Sequence, residues 1–182
     1  MVSLSWRRPL KRIISGGEPG AEQAGLFAAE TCRIPTAGWH GENTPTGSGI
    51  EDHLSLMARF NLQPHGGGRA ERIRTLILES DATLRLGYSF ANPEDQTAYR
   101  VLQSLDSEFL DVRLDRLSPI QDVTDWIVTQ RIRTLYVTGN VERSASNPVF
   151  ASSLRFLFDL FRALGHHPDE IQLQNLALRI PT

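Results

Sequence analysis

One cysteine, Cys32, is the whole thiol content of the chain, which excludes an intramolecular disulfide and any multi-cysteine zinc site. Long apolar runs are absent, and Trp6-Arg7-Arg8-Pro9 interrupts the first residues, so neither a bilayer-crossing helix nor a secretory leader is expected. Excess positive charge is missing as well. Nineteen Lys and Arg stand against 21 Asp and Glu, and the formal net charge of -2 removes the general electrostatic reason to expect a nucleic-acid partner. The local exception, Arg7, Arg8, Lys11 and Arg12, reads as solvation of the entry to a first strand. Neither an internal repeat nor a low-complexity tract occurs. The expectation is a cytoplasmic protein with neither membrane nor nucleic acid as partner. Its 182 residues, 40% of them hydrophobic, suffice for one domain whose core needs no disulfide or metal. That domain is expected to fill 1–182, with a C-terminal extension over about 166–182.

What is present begins with Ile13-Ile14, an apolar pair leading into Ser15-Gly16-Gly17-Glu18-Pro19-Gly20 and then an alanine-rich helix from Ala21 to Arg33. Glycines at such a turn let an anion approach the backbone, and the following helix aims free N–H groups and its positive dipole end at the same spot. Neither an NTPase phosphate loop nor the full dinucleotide fingerprint is present, since no Lys-Ser or Lys-Thr pair follows and Gly-Gly-x-x-Gly is shorter than the fingerprint. A tight strand-to-helix connection without ligand is the competing reading.

Downstream, Ile34 to Trp39 reads as a second strand, followed by a Gly-, Pro- and Ser-rich stretch from His40 to Gly68 that carries a brief helical turn over Glu51 to Phe60. A helix over Ala70 to Glu79 and a strand over Ala82 to Leu86 come next. A helix from Pro93 to about Leu105, a strand over Phe109 to Leu114, a helix from Ser118-Pro119 to about Arg131 and a strand over Thr134 to Thr138 complete the alternation. The last long helix begins at Asn147-Pro148 and stops at Gly165. Ile171 to Ile180 is expected as an edge strand or an arm on a neighbouring subunit, because Leu173, Leu176 and Leu178 need cover. The fold class is α/β: a Rossmann-like three-layer sandwich with a mainly parallel sheet of about five strands and helices on both faces. Ligands of such sheets sit beyond the carboxyl ends of the strands, so three loops should converge there: Ser15 to Gly20, Gly87 to Pro93, and Gly139 to Asn147.

The stretches Ile14-Ser15-Gly16-Gly17 with Gly20, Ile34-Pro35 with Gly38-Trp39, Ser80-Asp81-Ala82-Thr83-Leu84, and Val137-Thr138-Gly139 with Glu142 together resemble the molybdenum-cofactor carrier family. That family is distantly similar to the Rossmann-like phosphoribohydrolases once described as lysine decarboxylases. The resemblance spans residues 12 to about 164. It implies that the glycine turn holds a phosphate or the pterin-nucleotide end of a ligand, that the Gly139 loop closes the other side, and that Asp81, at the start of a strand, supports the site or the fold from below. It also implies molybdenum cofactor or a nucleotide as ligand, with any metal arriving inside the cofactor. Three departures stand out: Glu18-Pro19 replaces the family's Gln-Thr, Glu22-Gln23 its Asp-Arg, and Tyr88 to Pro93 lacks paired glycines.

The ligand-binding candidates are Ser15, Gly16, Gly17, Glu18, Gly20, Trp39, Arg72, Tyr88, Gly139, Asn140 and Glu142, with Trp39 and Tyr88 able to stack on a flat ring. Glu22 and Glu142 are the carboxylates, and Arg72 and Arg143 the arginines, that a ribosyl-bond hydrolase would need; Arg72 alternatively lies on a solvent face. Serine hydrolase chemistry lacks its Gly-x-Ser-x-Gly elbow. His40, His53, His65, His166 and His167 lack the spacing of a metal site, and His166-His167 reads as a solvated helix-end pair. A carrier-like binding protein forming a homodimer or tetramer is the leading expectation. A phosphoribohydrolase-like enzyme and a degenerate interaction module are the alternatives. Gly17→Glu is expected to abolish binding with the fold intact.

Overall fold

The structure, a computed structural model, describes residues 9–42, 52–116, 120–143 and 148–177. The Arg7-Arg8 start, the Ser118-Pro119 helix start, Asn147 and the residues from Leu178 onward lie outside them.

Ile13 and Ile14 are adjacent and both buried, which an isolated amphipathic strand would not allow but a strand covered on both faces requires. They belong to β1 (Arg12–Ser15), the third strand of a six-stranded sheet ordered β3-β2-β1-β6-β4-β5. The other strands are β2 (Thr36–Gly41), β3 (Leu62–His65), β4 (Ala82–Gly87), β5 (Phe109–Arg113) and β6 (Thr134–Gly139). Every pairing is parallel; Ile14 lies opposite Ala37 of β2 and Tyr136 of β6. The helices are α1 (Ala21–Thr31), α2 (His53–Phe60), α3 (Arg69–Leu78), α4 (Pro93–Ser104), α5 (Ile120–Thr129), α6 (Val149–Ala163) and α7 (Glu170–Ala177).

Handedness decides which face each helix covers. Steps toward β3, through α1 and α2, and the return step through α5 pack with α6 over the core of Ile13, Phe27, Phe60, Leu135, Val137 and Phe161. Steps toward β5, through α3 and α4, cover Ile14, Ile73, Leu76, Leu102 and Tyr136 on the other face. Right-handed crossovers demand this sorting: leftward moves on one face, rightward moves on the other. The three-layer α/β sandwich read from the sequence is therefore the fold.

Two differences have physical causes. The sheet has six strands rather than about five, because Leu62-Gln63-Pro64-His65 pairs with β2 at the sheet edge. A short segment with one buried apolar residue and a proline carries little strand signal, and an edge is where proline is tolerated. The C-terminal segment forms α7 instead of an edge strand. The Asp169 carboxylate accepts hydrogen bonds from the amides of Ile171 and Gln172, starting a helix, while Arg33 pairs with Asp169 and holds it to the end of α1.

Candidate functional site

The carboxyl ends of β1, β6 and β4 are neighbours, so the three glycine-bearing loops meet. Gly20 and Val141 form an antiparallel bridge in which Glu142 N donates to Pro19 O at 2.9 Å and Ala21 N to Asn140 O at 3.1 Å. On the other side of β6, Asn140 Oδ1 accepts from Tyr88 N at 2.8 Å, and its Nδ2 donates to Ser89 O at 2.7 Å and Asp95 Oδ2 at 2.6 Å. One asparagine thereby ties the end of β4 to the start of α4. Gly87 is required beside it, because a Cβ there would meet the Asn140 amide at 2.6 Å.

Beneath the first turn lies a group of charges that the sequence order does not suggest. Glu18 and Glu22 come from the turn and the start of α1, Arg69 and Arg72 from the first turn of α3. Both arginines donate to Glu18 Oε1, and Arg72 Nη1 stands 3.6 Å from Glu22 Oε2, beyond hydrogen-bond reach. Glu22 Oε1 accepts from the hydroxyls of Tyr136 and Thr138, both at 3.0 Å, and its Oε2 from Glu18 N at 3.0 Å. Arg72 is 2% exposed, which removes the alternative that it lies on a solvent face. Burial first, then the neighbouring Glu22 charge, raises the Glu18 carboxyl above its ordinary range against the pull of the arginines. Burial and the same Glu22 push the Tyr136 hydroxyl well above its usual value, so it remains a donor.

The glycine turn is covered, not open. Gly17 has φ +79, and a Cβ on it would meet Leu56 and Leu62 at 3.0 Å and His40 at 3.2 Å. A Gly17→Glu substitution would therefore disturb packing as well as any ligand, which corrects the expectation of an intact fold. His40 is fully buried, and its Nδ1 lies 2.6 Å from Gly16 O. A carbonyl only accepts, so Nδ1 carries the proton, and Nε2 accepts from His53 Nδ1 at 2.9 Å. Burial lowers the His40 pKa and keeps the ring neutral. Among the described residues, no hydrogen-bond partner falls to the amides of Gly16, Gly17 or Gly20, whereas those of Glu18, Ala21 and Gln23 are taken by the chain itself.

The structure does not gather every candidate. Trp39 turns to the far end of α3, where its Nε1 donates to Glu79 at 2.9 Å. Ser15 Oγ donates to Val137 O at 2.8 Å and is buried. Tyr88 lies against α6, its hydroxyl 2.7 Å from Ser152 Oγ. Gly139, at φ +142, lets β6 pass close to Leu86 O, where a Cβ would stand at 1.9 Å. Glu142 caps α6 by accepting from Phe150 N at 2.6 Å, and Arg143 pairs with Glu94. Asp81 accepts from the amides of Arg133 and Thr134 at the start of β6. His166 is buried rather than solvated, while Cys32 is buried as its helix position suggests. Among the described residues no group of three or more His, Cys, Asp or Glu is arranged to hold a metal, and no helix is long and apolar enough to cross a membrane.

Tyr136, Thr138, Arg69 and Asp95 were not among the sequence candidates. Tyr136 and Thr138 are two apart on one strand and so share a face, a signal that becomes useful only once α3 is known to cover it.

Strand order locates the crevice independently of any motif. Read as though the chain began at β6, the sheet becomes 4-3-2-1-5-6, a doubly wound order whose direction reverses between β6 and β4. This order defines the protein as a Rossmann-like α/β protein whose reversal point, the place where ligands of open parallel sheets bind, falls at the β6 and β4 ends. The chain belongs to the circularly permutated YpsA SLOG family, whose model matches residues 13–161. The crystal structure of a protein named "Putative molybdenum carrier protein" from Syntrophus aciditrophicus SB superposes with a TM-score of 0.69 and 24% identity, covering 84% of this chain and 95% of that one. No curated protein matches the chain.

Proposed function

We propose that the protein is a carrier-like binding protein that holds a phosphate-bearing nucleotide or pterin ligand in the crevice where the Ser15 to Gly20, Gly87 to Pro93 and Gly139 loops meet. The observation that carries this is the coincidence of the β6/β4 reversal with unpartnered turn amides and two arginines at the start of α3. Arg69, with its side chain 35% exposed, is the arginine a ligand reaches from solvent, and Arg72 is the buried one behind it. The name borne by the Syntrophus neighbour supports molybdenum cofactor as one candidate. The residues suit a cofactor taken up whole: arginines and turn amides for its phosphate, with the metal held by the pterin and not by side chains. When bound, such a cofactor supplies the metal's redox chemistry to whichever protein receives it.

Binding is favoured over ribosyl-bond hydrolysis because both candidate carboxylates have other work. Glu22 is buried and saturated by two hydroxyls and an amide, and Glu142 caps α6. A homo-oligomer remains part of the proposal, since Ile171 of α7 is 70% exposed.

The test is mass spectrometry of small molecules that co-purify under gentle conditions, followed by thermal-shift titration with nucleotides and molybdopterin. A ligand that binds only the native state at about 100 times its Kd adds roughly 2.7 kcal/mol and raises the midpoint accordingly. No co-purifying compound and no shift with any member of the panel would overturn the reading in favour of an interaction module.

A further inference from the structure

Two guanidinium groups converging on a single carboxylate oxygen is an unusual way to spend buried charge, because a guanidinium fork matches two acceptor oxygens. Here Arg69 Nη1 and Arg72 Nη2 both donate to Glu18 Oε1. Arg72 Nη1 has no hydrogen-bond partner although the side chain is only 3% exposed. That nitrogen lies against the backbone of Gly16, where a Cβ would stand 1.9 Å from it. Arg69 Nε is buried and unpartnered too. The Gly16 amide, whose backbone this nitrogen approaches, has no hydrogen-bond partner among the described residues either. Among the described residues Glu18 Oε1 is the acceptor the two arginines share, while the nearest carboxylate oxygen to the unpartnered Arg72 Nη1, Glu22 Oε2 at 3.6 Å, stays beyond hydrogen-bond reach.

We infer that Glu18 is an internal occupant of an anion site built by Arg69, Arg72 and the Gly16–Gly17 backbone, and that the site takes a phosphate group when the Glu18 carboxylate is absent or displaced. This deepens the binding proposal and rests on it, since it names the subsite for the ligand's phosphate and the group that competes for it. A tetrahedral oxyanion has acceptors enough for both arginines and for the unpartnered Arg72 nitrogen, which one carboxylate oxygen does not. Glu18 thus sets a threshold: a ligand must displace it, so weak anions are refused and only a ligand with further contacts in the crevice enters.

The experiment compares the wild-type chain, Glu18→Ala and Glu18→Gln in inorganic phosphate against sodium chloride of equal ionic strength, by thermal midpoint and by calorimetric titration. Glu18→Ala removes the competitor and opens its space; Glu18→Gln keeps the volume, removes the charge and guards against a variant that does not fold. Either variant leaves buried arginine under-compensated and is expected to melt below wild type in chloride, with phosphate restoring the midpoint. Phosphate affinity should rise about tenfold or more over wild type, a change of about 1.4 kcal/mol, and should vanish in Glu18→Ala combined with Arg69→Ala. Equal response of wild type and both folded variants to phosphate overturns the inference. A natural ligand found on the wild type together with that null response leaves the carrier reading standing; gain of phosphate binding without any natural ligand does the reverse.

Discussion

At the scale of single residues, Glu22 is the hub. It sits in the first turn of α1, where negative charge suits the helix dipole, yet its carboxylate points into the protein and is satisfied by Tyr136, Thr138 and the Glu18 amide. A buried hydrogen bond costs more to remove than an exposed one, because the acceptor it leaves behind is cut off from water. Tyr136→Phe keeps the ring and removes only that donor, and we expect a loss of about 1.5–3 kcal/mol in denaturant unfolding with an unchanged m-value. A loss within error would mean that the hydroxyl's contact with Glu22 adds nothing to stability beyond the buried ring. The sequence offers Glu22 as a candidate carboxylate and Arg72 as a candidate ligand arginine, but nothing in their spacing reveals that α3 delivers Arg72 to α1 from across the sheet.

At the scale of elements, α2, read from the sequence as a brief helical turn, and β3, which the sequence does not show, together close the glycine turn. Leu56 of α2 and Leu62 of β3 are the side chains nearest to Gly17. α2 is short and depends on its cap: Asp52 accepts from Ser55 N at 3.0 Å, and Asn61 ends the helix in the left-handed region at φ 55. Replacing the cap by Asp52→Ala should cost about 1 kcal/mol, and hydrogen exchange should quicken first in α2 rather than in β1. Uniform loss across the sheet would indicate that α2 does not open by itself. The regular helices were easier to read. In α6 Phe150, Leu154, Leu157 and Phe161 repeat at helical spacing and are all buried.

At the scale of the whole molecule, the histidine pair over the turn couples global stability to acidity. The neutral His40 ring donates from Nδ1 to Gly16 O and accepts at Nε2 from His53, and its folded-state pKa is lowered chiefly by burial. The unfolded chain therefore binds a proton that the native state resists. This contribution is present above the unfolded value near 6.5 and is lost as pH falls below it toward the lowered folded value. Glu18 and Asp95, raised mainly by burial, act in the opposite sense and favour the protonated native form at low pH. The comparison with His40→Asn, which keeps a donor for Gly16 O, isolates the histidine. Between pH 7 and 5 the wild type should lose stability more steeply than the variant by up to one proton; parallel pH profiles would show that His40 is charged in the native state.

Alternation of apolar and helical segments was enough for the sequence by itself to determine the α/β class, the parallel sheet and the meeting of three loops, because parallel neighbours need crossovers and crossovers have one hand. Its glycines marked where backbone passes close to other groups, as at Gly17 and Gly139. Tertiary structure alone decided that β6 enters between β1 and β4, that Leu62–His65 is a strand, and that Arg69 and Arg72 meet Glu18 across about fifty residues of chain. The physical reason is range. Hydrophobic period and turn chemistry act over a few neighbouring residues, whereas charge pairing in a buried crevice depends on which distant elements the sheet brings side by side.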